Sequence, residues 1–164
     1  MAVAQKLYEQ GHITYMRTDS VNLSQLAIGA AKTVICNTLG EKYSKPRNFA
    51  TKTKGAQEAH EAIRPTYMDK ETISGHKNEQ QLYSLIRKRT LASQMAEAEL
   101  EKTTITIAIT GEKHTFEAVG EVIIFDGFLK VYMESFDDEK EDDEAALLPA
   151  IHKGDQLQRS LIQA

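Results

Sequence analysis

Residues 13–20 read Ile-Thr-Tyr-Met-Arg-Thr-Asp-Ser and bring two chemically useful side chains close together. If this stretch is extended, Tyr15 and Arg17 project to one side while Met16 turns to the other, and the two Cα atoms lie about 7 Å apart. An arginine holds a phosphate through two parallel hydrogen bonds, and a tyrosine oxygen can attack phosphorus. The pair fits a phosphotyrosine-forming site. On spacing alone, the commoner interpretation is a half-buried strand tyrosine beside a solvated arginine.

Two longer motifs change that balance. Residues 11–20, GHITYMRTDS, resemble the active-site tyrosine segment of type IA DNA topoisomerases, and residues 56–66, AQEAHEAIRPT, resemble a second signature of the same family. Residues 125–128, FDGF, resemble a turn of these enzymes more weakly. The resemblance is strong over about residues 1–100. It implies cleavage and resealing of one DNA strand through a 5′-phosphotyrosine intermediate, which relaxes negative supercoils without ATP.

The resemblance also implies roles for individual residues. Tyr15 is expected to be the nucleophile, Arg17 to stabilise charge on the phosphate, and His60 to contact that phosphate. A histidine with a reference pKa near 6.5 can donate to a phosphate, although a lone histidine is more commonly a surface or capping residue. Asp19 and Arg64 are expected to contact DNA in supporting roles. Lys52 and Lys54 lie in a polar, basic, loop-like stretch over residues 41–56 and are expected to contact the DNA backbone, although the commoner interpretation of such a stretch is a solvated connection.

The sequence contains no recognisable metal or nucleotide motif. His60 and Glu61 begin like a zinc-protease helix, but residue 64 is an arginine where a second histidine is needed. A P-loop and an Asp-x-Asp-x-x-Glu string are both missing, and the single cysteine, Cys36, excludes an internal disulfide and a multi-cysteine zinc site. We therefore expect no cofactor on this chain. The resemblance implies Mg²⁺ in the parent enzyme, with ligands outside this chain.

Charge divides the chain into two parts. Residues 1–100 contain 14 Lys/Arg and 10 Asp/Glu, a net charge of +4, whereas residues 101–164 contain 6 and 14, a net charge of -8. The first part is therefore the candidate surface for single-stranded DNA. No apolar run approaches about 18 residues, and the start lacks the basic and apolar regions of a secretory signal. We expect no membrane association and a cytoplasmic, nucleoid-associated location.

Hydrophobic periodicity changes from 3.6 to 2 near residue 100, which predicts an α+β chain with a domain boundary there. The resemblance implies a helical, winged-helix-like nucleophile domain over residues 1–100 and part of a β-rich arch domain over residues 101–164. Ser24 and Asn78 are the expected N-caps, and Gly11 and Gly40 the expected helix stops. The predicted elements are helices over residues 2–10, 25–39, 57–63 and 79–98, an extended active-site strand, a β-hairpin over 104–124, an acidic mobile loop over 137–144 and a strand over 155–162.

Three functions remain open. The first is an internal piece of a topoisomerase, monomeric and inactive alone, which works with the remaining domains of the parent enzyme. The second is a non-catalytic module that binds single-stranded DNA, in which the tyrosine stacks on a base. The third is a structural or protein-interaction domain that uses the β part. A single-strand binding assay separates the third from the others, and trapping of a covalent adduct separates the first from the second.

Overall fold

A computed structural model describes residues 1–49, 61–132 and 151–158 of the chain. These residues contain both helices and strands, which confirms the mixed α and β character. The winged-helix and arch assignments stay predictions. The elements are helix α1, Ala2–Glu9; helix α2, Gln25–Thr38; helix α3, Lys77–Ser93; strand β1, Glu99–Ala108; and strand β2, Thr115–Phe125, with β1 and β2 paired as the predicted hairpin.

The first two helices begin and end where local chemistry predicts. The Ser24 side chain accepts a hydrogen bond from the Ala27 amide at the start of α2. Gly11 follows α1 with φ of +72°, and Gly40 follows α2 with φ of +104°. Both angles are in the left-handed region, where glycine avoids the steric penalty of a Cβ. Helix stops at Gly11 and Gly40 and the Ser24 cap are confirmed.

The third helix differs from its prediction at both ends. It begins after His76 rather than Asn78, and it ends at Ser93 rather than near residue 98. The early end has a tertiary cause. Gln94 is fully buried, and its side chain accepts from the Arg47 amide and donates to the Arg47 carbonyl. Met95 then forms a β-bridge with Ser44, so pairing with a distant segment replaces the next helical turn.

Two hydrophobic clusters lie in the first compact unit, which comprises Met1–Glu99 and Phe125–Glu134. The first cluster packs the start of the tyrosine motif against α1 and α3. The second packs α2 against the end of α3, with Phe125 and Phe128 added at its edge. The buried members of the first cluster are Leu7, Ile13, Met16, Ile73 and Tyr83, and those of the second are Ala31, Ile35, Tyr43, Leu91 and Met95.

The FDGF turn is tied to the same unit by polar contacts. The Phe128 amide donates to the Ala96 carbonyl at 2.9 Å, and the Tyr43 hydroxyl donates to Asp126 at 2.8 Å. Lys130 lies 3.4 Å from the Asp126 carboxylate. The hydrogen bond from Tyr43, helped by Lys130, holds the pKa of Asp126 below its usual value. The turn is thereby fixed to the segment that follows α3.

The second compact unit comprises Leu100–Ile124 and Ser135–Ala164. Its described residues are most of the hairpin and residues 151–158. The strand predicted over residues 155–162 is wrong for the residues that the structure describes, because residues 155–158 are not in a strand. An extended segment becomes a strand only when its backbone pairs with another strand. The acidic loop at 137–144 lies outside the described residues. None of the helices in the three described ranges is long and apolar enough to cross a bilayer.

Candidate active site

The tyrosine motif exposes the two residues that the sequence singled out. Tyr15 is 40% exposed and Arg17 is also exposed, while Met16 between them is 8% exposed. The strand prediction is nevertheless wrong, because Ile13 forms only an isolated β-bridge and residues 14–20 lie in no strand. Strand alternation would also put Ile13 on the same face as Tyr15, yet Ile13 is only 2% exposed. The chain bends at Thr14 and again at Met16 and Arg17. Burial of both Ile13 and Met16 in one cluster requires those bends.

The motif is paired with the second signature over three residues. Ile13 and Pro65 form an antiparallel bridge. The Thr14 amide donates to the Arg64 carbonyl at 2.9 Å, and the Thr66 amide donates to the His12 carbonyl at 3.0 Å. Both hydrogen bonds use amides that flank the bridge. Proline, which has no N–H, is therefore accommodated at residue 65 without loss of a backbone hydrogen bond.

The Thr14 side chain adds a second link between the two signatures. Its hydroxyl donates to the Ala62 carbonyl at 2.8 Å and accepts from the Arg64 amide at 2.9 Å. The backbone is thus held just before Tyr15, and burial of Met16 holds it just after. A side chain that projects from a backbone anchored on both sides is well suited to a preorganised site.

Glu61 connects this pairing to the start of α2. Its carboxylate accepts from Nε and Nη2 of Arg64, both at 2.8 Å, and from the Ser24 amide at 2.8 Å. Burial acts to raise the pKa of Glu61, but the hydrogen bonds from Arg64 and Ser24 outweigh it, so the pKa lies below the usual value. We call Glu61 and Arg64 the clasp. It joins the tyrosine motif, the second signature and the N-terminus of α2.

The expected DNA-binding residues have different surroundings. Asp19 is exposed and follows Tyr15 in the same motif. Arg64 is 13% exposed. Its Nη1 donates to the Pro65 carbonyl, and its Nε and Nη2 donate to Glu61. These contacts suit a role in holding the two signatures in place. A DNA contact from Arg64 stays a prediction. His60, Lys52 and Lys54 lie outside the described residues, as does most of the predicted helix at 57–63, of which residues 61–63 are not helical.

Sequence reasoning missed two residues that shape the site. Thr14 gave no signal, because its role depends on carbonyls almost 50 residues away. Glu61 and Arg64 are three residues apart with opposite charge, a spacing that could have indicated the pair.

The described part of the chain offers no metal centre. Among residues 1–49, 61–132 and 151–158, no group of three or more His, Cys, Asp or Glu side chains could hold an ion. These residues therefore do not fit the Mg²⁺ that the family resemblance implies, and the location of its ligands outside this chain stays a prediction.

We expect the clasp to make stability depend on pH. The lowered pKa of Glu61 means that its contribution is present above the unfolded-state value of about 4.5 and is lost as pH falls through the lower folded-state pKa. Glu61→Gln should cost about 1–2 kcal/mol at pH 7, the scale of a partly exposed charged hydrogen-bond pair. Urea unfolding between pH 7 and pH 3 measures this.

The difference in the free energy of unfolding between Glu61→Gln and the wild type should shrink below pH 4. Glu71→Gln makes the same chemical change at an exposed carboxylate and serves as the control. A difference for Glu61→Gln that stays constant down to pH 3 would contradict the assigned role of the charge.

Comparison with known proteins gives the family of this chain. The family model described as DNA topoisomerase matches residues 1–163. DNA topoisomerase 1 of Synechococcus elongatus is 49% identical over 94% of this chain and 18% of its own length, and that of Mycolicibacterium smegmatis is 43% identical over the whole chain and 19% of its own length. The solved structure of full-length topoisomerase I from Thermotoga maritima is 35% identical, with a TM-score of 0.67 over 80% of this chain and 22% of that one.

This chain thus spans about a fifth of the length of the curated relatives that it matches. The family match covers both signature segments, residues 11–20 and 56–66. On these grounds the chain belongs to the DNA topoisomerase family and is similar to bacterial DNA topoisomerase 1.

Proposed function

We propose that this chain supplies the nucleophile of a type IA DNA topoisomerase, and that Tyr15 cleaves one DNA strand. The observation that carries the proposal is the placement of Tyr15, which is half exposed between two backbone anchors, Thr14 and Met16. Arg17 is exposed two residues further on. Family membership supports the same assignment, because Tyr15 and Arg17 occur in the motif that resembles the family's tyrosine segment.

In the proposed step, Oη of Tyr15 loses its proton and attacks a backbone phosphorus. One P–O bond forms to tyrosine, and the P–O bond to the 3′ oxygen of the neighbouring nucleotide breaks. The 3′ oxygen takes up a proton, and the DNA stays attached through a 5′-phosphotyrosine. Because one phosphoester replaces another, the reverse attack by the 3′ hydroxyl reseals the strand without ATP.

The remaining roles are part of the same proposal. Arg17 stabilises negative charge on the phosphate in the transition state. His60 contacts that phosphate, and Asp19 and Arg64 support the site. Lys52 and Lys54 contact the DNA backbone. Mg²⁺ is expected to bind elsewhere in the whole enzyme, which also supplies the other domains needed for strand passage.

A hybrid enzyme tests the proposal. It is the Synechococcus elongatus DNA topoisomerase 1 in which this chain replaces the matching segment, a replacement at 49% identity. The hybrid enzyme is incubated with a 5′-labelled and a 3′-labelled single-stranded oligonucleotide in parallel and then denatured. We expect a covalent adduct on the 5′ phosphate of the downstream fragment, with the modified peptide containing Tyr15. Attachment at another residue would overturn the assignment.

Arg17→Ala in the hybrid enzyme should slow cleavage by about 10²–10³-fold, the scale of removing one preorganised charge stabiliser. The measurement is the single-turnover cleavage rate at saturating DNA. Arg87→Ala removes the same charge from α3, where Arg87 donates to the Met68 carbonyl, and is the matched control. Equal rates for Arg17→Ala and Arg87→Ala would be inconsistent with a role for Arg17 at the phosphate.

The isolated chain should bind single-stranded DNA weakly through residues 1–100, because these carry the positive balance and both signatures. Affinity should fall as salt rises, with a log–log slope of about 0.7 per phosphate neutralised. Binding should strengthen below about pH 6.5, where the His60 imidazole is charged. An NMR titration with a short oligonucleotide checks this, and shifts should centre on Tyr15 and Arg17 and spare residues 137–144.

Binding that is indifferent to salt, or shifts confined to the hairpin, would remove support for this placement of the DNA. The titration also addresses the second function that the sequence left open. A module that only binds DNA would give the same shifts but no covalent adduct in the hybrid enzyme.

A further inference from the structure

A second tyrosine lies against the proposed nucleophile. The ring centroids of Tyr8 and Tyr15 are 5.3 Å apart, with an angle of 69° between the ring planes. This is the edge-to-face arrangement that aromatic quadrupoles favour. The two residues come from different segments, since Tyr8 lies on α1 and Tyr15 lies in the motif beyond Gly11.

Tyr8 is held in place by its helix. Its neighbour Leu7 is fully buried in the first hydrophobic cluster, which also contains Ile13 and Met16 from the motif. The Tyr8 carbonyl accepts a hydrogen bond from the Gly11 amide at 2.9 Å, which closes the end of α1. The backbone that carries Tyr8 is therefore fixed relative to the backbone that carries Tyr15.

Anchoring the Tyr15 backbone does not by itself set the χ1 torsion of the side chain, and rotation about χ1 displaces the reactive Oη. A displacement of about 1 Å can cost about 10²-fold in rate. A ring packed against one side of Tyr15 narrows that motion before DNA arrives. We propose that Tyr8 is a positioning residue that orients the ring of Tyr15 for attack on phosphorus, an inference that rests on the proposed function of Tyr15.

The position of Tyr8 makes the inference testable without unfolding the protein. Tyr8 is 42% exposed, so its replacement removes little of the core. Tyr8→Phe keeps the ring and removes only the hydroxyl, whereas Tyr8→Leu removes the ring. Tyr67 is 57% exposed and its ring contacts Lys70, so Tyr67→Leu is a matched control for loss of an exposed tyrosine ring.

The first measurement uses the 164-residue chain with ¹³C-labelled tyrosine. The aromatic ring protons of Tyr15 should change their NMR chemical shifts in Tyr8→Leu and keep them in Tyr8→Phe and Tyr67→Leu. Unchanged Tyr15 ring signals in Tyr8→Leu would overturn the inference, whatever the activity of the hybrid enzyme. This readout is independent of DNA cleavage.

The second measurement compares cleavage and binding in the hybrid enzyme. Tyr8→Leu should lower the single-turnover cleavage rate at saturating DNA by about 2- to 12-fold, the scale of one edge-to-face ring pair, with no change in Kd. Tyr8→Phe, which keeps the ring, should retain the wild-type cleavage rate. A raised Kd with an unchanged rate would show instead that Tyr8 stacks on a DNA base and would overturn the positioning role.

These outcomes are distinguishable from failure of the proposed function. If the adduct forms on a residue other than Tyr15, the nucleophile assignment is wrong. If the adduct forms on Tyr15 and Tyr8→Leu cleaves at the wild-type rate, the nucleophile stands and the positioning role of Tyr8 is wrong.

Discussion

Replacing Tyr15 by phenylalanine is expected to abolish covalent attachment of the hybrid enzyme to DNA. The change removes one hydroxyl and keeps the ring, so the edge-to-face contact with Tyr8 and the two backbone anchors remain. Without Oη the phosphorus has no protein nucleophile, and both the adduct and relaxation of supercoiled plasmid should fall to background. Gel separation of a labelled oligonucleotide after denaturation measures the adduct.

Two controls accompany Tyr15→Phe. The midpoint of thermal unfolding of Tyr15→Phe should match that of the wild-type chain, because Tyr15 is 40% exposed and is not part of the core. Tyr67→Phe removes a hydroxyl from another exposed tyrosine and should leave the adduct intact. A persistent adduct in Tyr15→Phe would mean that another residue attacks the DNA.

Replacing Gly127 by alanine is expected to destabilise the first compact unit severely. Gly127 has φ of +49°, and a Cβ there would lie 2.3 Å from the Glu97 carbonyl oxygen and 2.6 Å from the Ala98 amide nitrogen. These are backbone atoms, so the whole turn has to move and its hydrogen bond from Phe128 to Ala96 is disturbed. We expect a loss of about 3–5 kcal/mol, from overpacking and the left-handed backbone together. Chemical denaturation measures the free energy of unfolding.

Two other glycines separate the causes. Gly40 has φ of +104° with no atom near the position of a Cβ, so Gly40→Ala isolates the backbone strain and should cost about 1–2 kcal/mol. Gly29 lies in α2 with ordinary φ and open space, so Gly29→Ala should stabilise the protein by up to about 1 kcal/mol. A Gly127→Ala variant as stable as Gly40→Ala would show that the turn can yield to a Cβ.

Local sequence signals determine the first two helices. The cap at Ser24 and the glycines at residues 11 and 40 act within a few residues of the chain, so periodicity and capping chemistry predict α1 and α2 to within a residue or two. The hairpin is predicted for the same reason, because alternation of apolar residues and a turn beginning with Gly111 are local features. Strand β1 begins five residues earlier than alternation indicates.

The end of α3 could not be predicted from local signals. Residues 94–98 have no glycine or proline that would stop a helix, yet Gln94 and Met95 leave the helix to pair with Arg47 and Ser44. The free energy gained by burying and pairing these residues exceeds the small free energy that helix propensity would contribute over a few more residues. Such partners are about 50 residues away and carry no mark in the sequence.

For the candidate site, the sequence by itself determined which side chains are proposed to carry the chemistry. The motif around Tyr15 and Arg17 and the second signature identify the family, and the family match agrees. Only the tertiary structure decided how Tyr15 is presented. Strand alternation places Ile13 and Tyr15 on one face, but burial of Ile13 and Met16 together bends the chain and leaves Tyr15 exposed. The clasp, the Thr14 hydrogen bonds and the Tyr8 ring join segments that are distant in sequence or separated by a turn, and such contacts exist only once the chain has folded.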